Sequence, residues 1–201
     1  MVLTSVLLAT ALLQQQKPVF NQPQHAHYSI PVGWHDELER SSNWGPLNME
    51  NKAQVIAPPG TLLLTLGHVP ANWPYTYQWS GVTQDANVDL ATYPVLMAKA
   101  NYVFGYAHMD IDVLDGRGQV EQTLRSSTLN APGLSSVDLG ASLKPGQYHL
   151  RLRLIVGGQN EGCAAIYDWV RFVKRSDVDF LTNNPDWPYV RMDGGMDEGW
   201  R

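Results

Sequence analysis

Residues 148–156 alternate between apolar and polar side chains as far as Leu154, and this pattern constrains the fold more than any other feature. The polar positions are His149, Arg151 and Arg153, and the positions between them are apolar. An extended chain directs alternate side chains to opposite faces, whereas a helix would spread the same leucines around its circumference. The segment therefore predicts a β-strand with one face on a core and one face in water.

Further strand candidates follow one another between residues 60 and 175. Residues 102–115 repeat the alternation, and the Gly-containing turn at 115–118 predicts a hairpin. The other candidate strands cover residues 61–67, 89–97, 120–124, 134–139 and 164–174. Short strands between turns, without a sustained 3.6-residue period, predict an all-β fold, namely an antiparallel β-sandwich.

Composition divides the chain into four parts. Residues 1–16 are interpreted as a signal peptide. Residues 17–54 form an extended Pro/Gln/Asn-rich arm, in which we expect one helical turn at 34–40. Residues 55–175 are predicted to form the sandwich domain. Residues 176–201 form an aromatic Gly/Asp-rich tail.

The signal-peptide interpretation rests on residues 2–13, which carry no charge and are too short to span a bilayer. Ala9 and Ala11 provide the small-x-small form of a cleavage site. We therefore expect a secreted protein, extracellular or periplasmic, without a membrane span. The alternative is that this apolar stretch is a buried strand or helix.

Several function classes are disfavoured by charge and motifs. A net charge of −5 without any Lys/Arg run argues against nucleic-acid binding. The single cysteine, Cys163, excludes an internal disulfide framework. Asp110 and Asp112 share one strand face, and we interpret them as edge charges that discourage aggregation rather than as the carboxylate pair of a glycosidase. We predict no catalytic activity.

An aromatic series between residues 72 and 80 is the sharpest candidate binding feature. Its members are Trp73, Tyr75, Tyr77 and Trp79. In an extended segment all four rings would lie on one face, roughly 6.5–7 Å apart. Such a platform suits the apolar C–H faces of sugar rings. The alternative is that these rings form the core of the sandwich.

The polar side of residues 148–156 is a second candidate binding surface. If this strand neighbours residues 164–174, the two polar faces would form one floor of cations and aromatic rings, composed of His149, Arg151, Arg153, Tyr167, Trp169 and Arg171. Arginine forks bind carboxylates, so uronic acids or acidic glycans would fit this surface. The alternative is a solvated sheet face.

Four segments carry a resemblance to a known fold family. They are residues 89–96 (Asp-Leu-Ala-Thr-Tyr-Pro-Val-Leu), 110–113, 144–152 and 167–172. Together they resemble a galactose-binding-like jelly roll, as found in carbohydrate-binding modules and in accessory domains of secreted bacterial glycan-degrading proteins. The resemblance covers about residues 55–175.

The resemblance also implies a metal. Domains of this family often hold a structural calcium ion between their first and last strands, and Asp168 is the residue that would inherit this role. Calcium takes six to eight oxygen ligands, and the others are not evident from the sequence. Asp168 could equally cap a turn or pair with an arginine.

Two functions follow from these observations. The first is a secreted, non-catalytic module that binds a polysaccharide or glycan through aromatic stacking and polar or Arg contacts. The second is an extracellular structural or assembly protein that self-associates, with its arm and tail docked on neighbouring subunits.

Overall fold

A computed structural model describes residues 29–38, 43–46, 54–56, 62–66, 78–158, 162–188 and 190–192. The strands among them are β1 (Ile30–Asp36), β2 (Gly45–Pro46), β3 (Gln54–Ile56), β4 (Leu62–Leu66), β5 (Gln78–Asp89), β6 (Val95–Phe104), β7 (Tyr106–Leu114), β8 (Val120–Arg125), β9 (Gly133–Asp138), β10 (Gln147–Gly158), β11 (Cys163–Val173) and β12 (Val190–Met192). The helical elements include α1 (Val178–Asn183) and two short 3-10 turns, Leu139–Ala141 and Arg175–Asp177.

The strands form two sheets. In sheet A, β11 pairs with β6 along one edge and with β1 and β4 along the other. Further out, β9 pairs with β6, β12 pairs with β1, and β3 pairs with β4. Sheet B has the order β2-β5-β10-β7-β8. All pairs are antiparallel except β1 with β12. The predicted all-β antiparallel sandwich is therefore confirmed.

The main core lies between the two sheets. From β10 it takes Leu150, Leu152 and Leu154, which are almost fully buried, as the alternation predicted. From β7 it takes Met109 and Ile111. Burying such a side chain stabilises the fold by roughly 1.5–3 kcal/mol. One face of sheet B therefore packs in the core and is not available to a ligand.

The outer face of sheet A is covered by a second apolar cluster. It joins Trp169 and Val173 of β11 to Ile30 and Val32 of β1 and Leu181 of α1. Two strands of this sheet, β1 and β12, lie outside the 55–175 range predicted for the sandwich domain. The outer face of sheet B carries no such cluster among the described residues, so it is the candidate face for ligands.

Arg171 ties three parts of the chain together. Its guanidinium donates to the Glu37 carboxylate at 2.8 and 2.6 Å and to the Trp187 carbonyl at 3.0 Å. Burial opposes ionisation of Glu37, but hydrogen bonds from His35 and Arg171 outweigh it and lower the pKa of the carboxyl. The described parts of the arm and tail thus dock on this chain's own sandwich.

The helical turn expected at residues 34–40 is wrong where the structure describes it. Trp34 and Asp36 lie in β1, opposite Phe172 and Val170 of β11. The indole of Trp34 contacts the Phe172 ring edge-to-face at 6.3 Å. Pairing with β11 satisfies the backbone groups of this short segment, which a single helical turn would leave largely unsatisfied.

The predicted signal peptide, with the rest of residues 1–28, lies outside the described part of the chain, as do residues 193–201. None of the helices among the described residues is long and apolar enough to cross a membrane.

Candidate functional site

The outer face of sheet B is built from side chains that lie opposite each other on neighbouring strands. Gly157 of β10 lies between Trp79 of β5 and Tyr106 of β7. Two residues further along β7, His108 is opposite Ile155. Directly opposed residues in antiparallel strands share a face, so these side chains form one surface.

This surface contains a groove of about 450 Å³. The groove is lined by Trp79, Tyr106, His108, Asp110, Arg125, Thr128, Arg153 and Ile155. Trp79 is 41% exposed, whereas His108 and Asp110 are each 5% exposed. The groove therefore combines an accessible aromatic ring with a buried polar floor.

Gly157 makes room for the Tyr106 ring. A Cβ atom at Gly157 would lie 2.2 Å from Cζ and Oη of Tyr106. The ring thus crosses β10 where that strand has no side chain. It also stacks on the His108 imidazole, with ring centroids 5.8 Å apart and planes at 13°.

A chain of charged pairs forms the rest of the floor. Arg125 binds Asp110 through two hydrogen bonds, from Nε to Oδ1 at 2.7 Å and from Nη2 to Oδ2 at 3.0 Å. Arg153 donates to Asp112 at 2.7 Å and lies 3.8 Å from Asp110. Thr123 also donates to Asp112, at 2.6 Å. Such bidentate and shared pairs hold their side chains in fixed positions.

The ionisation states at the floor follow from these contacts. Burial opposes ionisation of Asp110, but the hydrogen bond from Arg125 and the attraction of His108, Arg125 and Arg153 together outweigh it and lower the pKa of the carboxyl. The same bond raises the pKa of Arg125. Burial lowers the pKa of His108 despite Asp110, whose Oδ1 lies 3.5 Å from Nε2. At neutral pH the floor therefore holds an ionised Asp110 and a neutral His108.

Two buried nitrogens of the groove have no hydrogen-bond partner within the described chain. They are Nε2 of His108 and Nε of Arg153. An unpaired buried polar atom costs about 1–3 kcal/mol.

The structure brings members of the two candidate surfaces together. Trp79, from the aromatic series, and Arg153, from the cationic surface, line the same groove. Arg151 and His149 lie on the same face beyond the groove, with nitrogens 2.9 and 3.6 Å from carboxylate oxygens of Asp85. A ligand-binding role for these four residues stays a prediction.

The remaining members of the aromatic series, Trp73, Tyr75 and Tyr77, lie outside the described residues. The four-ring platform therefore also stays a prediction.

The expected floor formed jointly by β10 and β11 is wrong. These strands belong to different sheets, since β10 pairs with β5 and β7 and β11 pairs with β1, β4 and β6. Trp169 is only 2% exposed, and its Nε1 donates to the Pro185 carbonyl at 3.0 Å. Tyr167 is buried in the main core, and Arg171 binds Glu37. Alternation specifies the faces of a strand but not its neighbours.

Six lining residues of the groove were missed as binding candidates, namely Tyr106, His108, Asp110, Arg125, Thr128 and Ile155. Asp110 was interpreted as an edge charge, which is wrong because β7 lies between β10 and β8. One signal was available in the sequence. The predicted hairpin at 115–118 pairs β7 with β8, and this register sets Asp110 opposite Arg125.

The calcium site expected at Asp168 stays a prediction, and its surroundings fit a metal poorly. The Asp168 carboxylate accepts a hydrogen bond from Nζ of Lys99 at 3.1 Å, and the same ammonium contacts Asp186. The described residues contain no group of three His, Cys, Asp or Glu side chains able to hold a metal ion. An ammonium group therefore stands beside the carboxylate that would have to bind Ca²⁺.

Comparison with known proteins finds similar solved structures. No protein-family model matches the chain, and no curated protein matches it. A xylan-binding module, CBM86 from Roseburia intestinalis, is similar with 9% identity and a TM-score of 0.40, covering 72% of this chain and 97% of that one. The chain resembles carbohydrate-binding modules in fold.

Two other modules show the same level of similarity. TmCBM61, solved with β-1,4-galactotriose, has 11% identity and a TM-score of 0.37, covering 69% of this chain and 93% of its own. TmCBM27, described for specific mannan recognition, has 13% identity and a TM-score of 0.36, covering 72% and 97%. At these identities the comparison concerns the fold, so function is argued from the groove.

Replacing Gly157 with alanine is expected to displace the Tyr106 ring, because the new methyl carbon would fall 2.2 Å from it. The His108 imidazole should then lose its stacking partner, and its proton resonances should shift in NMR spectra. Overpacking should also cost about 1–3 kcal/mol of unfolding free energy. Gly116→Ala is the matched control, because no atom lies within 4 Å of its added carbon. Unchanged His108 resonances in Gly157→Ala would contradict the expected displacement.

Proposed function

We propose that the protein is a secreted, non-catalytic carbohydrate-binding protein and that a sugar chain binds in the groove on sheet B. The observation that carries this proposal is the exposed ring of Trp79 beside a floor of fixed polar groups. Secretion rests on the uncharged N-terminal segment, residues 2–13.

Aromatic stacking would supply much of the affinity. Sugars present apolar C–H faces that pack on an indole ring, and burying both surfaces releases water. Trp79 is anchored in β5, whose pairing with β10 continues along all twelve residues of the strand. A ring on a rigid strand loses little conformational entropy on binding.

Polar groups along the groove would orient the sugar. The Arg125 side chain is 61% exposed, and its pair with Asp110 engages only two of its five N–H donors. Thr128 adds a hydroxyl to the lining. These groups match sugar hydroxyls, which both donate and accept hydrogen bonds.

The carboxylates of the groove do not suit hydrolysis. A glycosidase needs one protonated acid and a second carboxylate on the other side of the scissile bond. Asp110 is held ionised by Arg125, and Asp112 accepts bonds from Thr123 and Arg153. Both lie on one face of one strand. Binding without chemistry is the function that this arrangement supports best.

Affinity electrophoresis of the full chain tests the proposal. Xylan, β-1,4-galactan and mannan form the first panel, with and without calcium. Trp79→Ala is expected to weaken binding at least about tenfold, because truncation of a central aromatic residue typically costs 2 kcal/mol or more. Tyr102→Ala is the matched control, since Tyr102 is 43% exposed but belongs to sheet A.

Two results would contradict the proposal. Equal losses of affinity in Trp79→Ala and Tyr102→Ala would show that the binding site is not in the groove. If no glycan retarded the folded wild-type chain, the protein would not be a carbohydrate-binding protein. Size-exclusion chromatography would then test the assembly alternative, for which a large species is expected.

A further inference from the structure

We propose that the groove selects uncharged glycans and discriminates against uronic acids because its arginines are already bound to aspartates. This inference rests on the proposed function and specifies its substrate class. It reverses the expectation from sequence, in which unpaired arginines would bind acidic sugars.

The outer face of sheet B carries three arginines within the described part of the chain. Its three arginines each bind an aspartate, in the pairs Arg125–Asp110, Arg153–Asp112 and Arg151–Asp85. The histidine of the groove, His108, is neutral at neutral pH, as described above. Within the described residues, the face therefore offers no arginine without a carboxylate partner.

A uronate would have to compete with a carboxylate that the protein already holds in place. Asp110 accepts two hydrogen bonds from Arg125 and is only 5% exposed. If a ligand took Arg125, this buried carboxylate would lose its main partner, which is strongly unfavourable. The incoming charge would also approach Asp110 and Asp112, and like charges repel at short range.

Neutral hydroxyls avoid this competition. A guanidinium has five N–H donors, and Asp110 occupies only two nitrogens of Arg125. A hydroxyl can accept from the remaining N–H donors, directly or through water, so it can bind there without displacing an aspartate.

The test compares neutral polysaccharides with polygalacturonate for the wild-type chain and for Asp110→Asn. The wild type should bind a neutral glycan and bind polygalacturonate at least about tenfold more weakly. Asp110→Asn leaves Arg125 without its carboxylate and should gain at least about tenfold for polygalacturonate. This gain should disappear at high salt, because ions screen an exposed charge interaction.

Asp85→Asn is the matched control. It releases Arg151, on the same face but outside the groove, and should show no comparable gain for polygalacturonate. Circular dichroism verifies folding of each variant. If Asp110→Asn does not fold, Asp112→Asn carries the same test, because it releases Arg153.

The outcomes separate the two proposals. Equal wild-type affinity for neutral and acidic chains, or no gain in either groove variant, would overturn the charge-selection inference and leave carbohydrate binding intact. Failure of the wild type to bind any neutral or acidic chain would instead remove the proposed function, and the inference with it.

Discussion

Replacing Arg171 with alanine should lower the free energy of unfolding by about 3–5 kcal/mol, the usual result when one partner of a buried ion pair is removed. Arg171 is 1% exposed and holds the Glu37 carboxylate with two hydrogen bonds. The variant would also lose the bond to the Trp187 carbonyl and the contact of the guanidinium with the Trp169 ring at 4.3 Å. Urea unfolding of the full chain measures the loss.

Arg175→Ala is the matched control for this prediction. Arg175 forms an equally good bidentate pair with Asp138, but it does so on the surface, where water solvates both partners. We expect a much smaller loss there. Arg171→Lys should fall between the two, because lysine keeps the charge and lacks the planar fork. Similar losses of unfolding free energy in Arg171→Ala and Arg175→Ala would contradict a stabilising role for the contacts of Arg171 with Glu37 and Trp187.

Replacing Gly105 with alanine should destabilise the protein by about 2–5 kcal/mol. Gly105 lies between β6 and β7, where the chain crosses from sheet A to sheet B, and its φ is +88°. A side chain in this backbone region costs about 1–2 kcal/mol. The added carbon would also lie 2.4 Å from the carbonyl oxygen of Gly157, and overpacking costs about 1–3 kcal/mol.

Gly118→Ala separates these two effects. Gly118 also has a positive φ, of +77°, but nothing lies within 4 Å of its added carbon. Its substitution should therefore show the backbone cost alone. Thermal and urea unfolding of both variants would reveal the difference, and equal destabilisation would mean that Gly157 is not closely packed against Gly105.

Much of the fold was predictable because strand faces are a local property. The alternation in residues 148–156 placed Leu150, Leu152 and Leu154 on the core, and they are buried there. The same reasoning found β7 and its hairpin to β8. It failed for β1, where Trp34 and its neighbours carry a weak pattern, and pairing with β11 determines the conformation.

The candidate site was predicted only in pieces. Trp79 and Arg153 were both singled out, but on separate surfaces, and Trp169 was assigned to the wrong one. The main error concerned the two buried aspartates. Acidic residues such as Asp110 and Asp112 are typical of a solvent-facing strand edge, but here they bind arginines from β8 and β10 and are buried. Charge alone did not reveal this burial, because the covering residues come from other strands.

The sequence by itself determined the class of fold and the face of each long strand, since a period of two is set within a single strand. The tertiary structure decided which strands are neighbours. It separated β10 from β11, placed Arg151 beside Asp85 across 66 positions, and joined Arg171 to Glu37 across 134. The groove exists because β5, β10, β7 and β8 lie side by side in one sheet. Their order depends on how the whole chain buries its apolar faces, so no single segment encodes it.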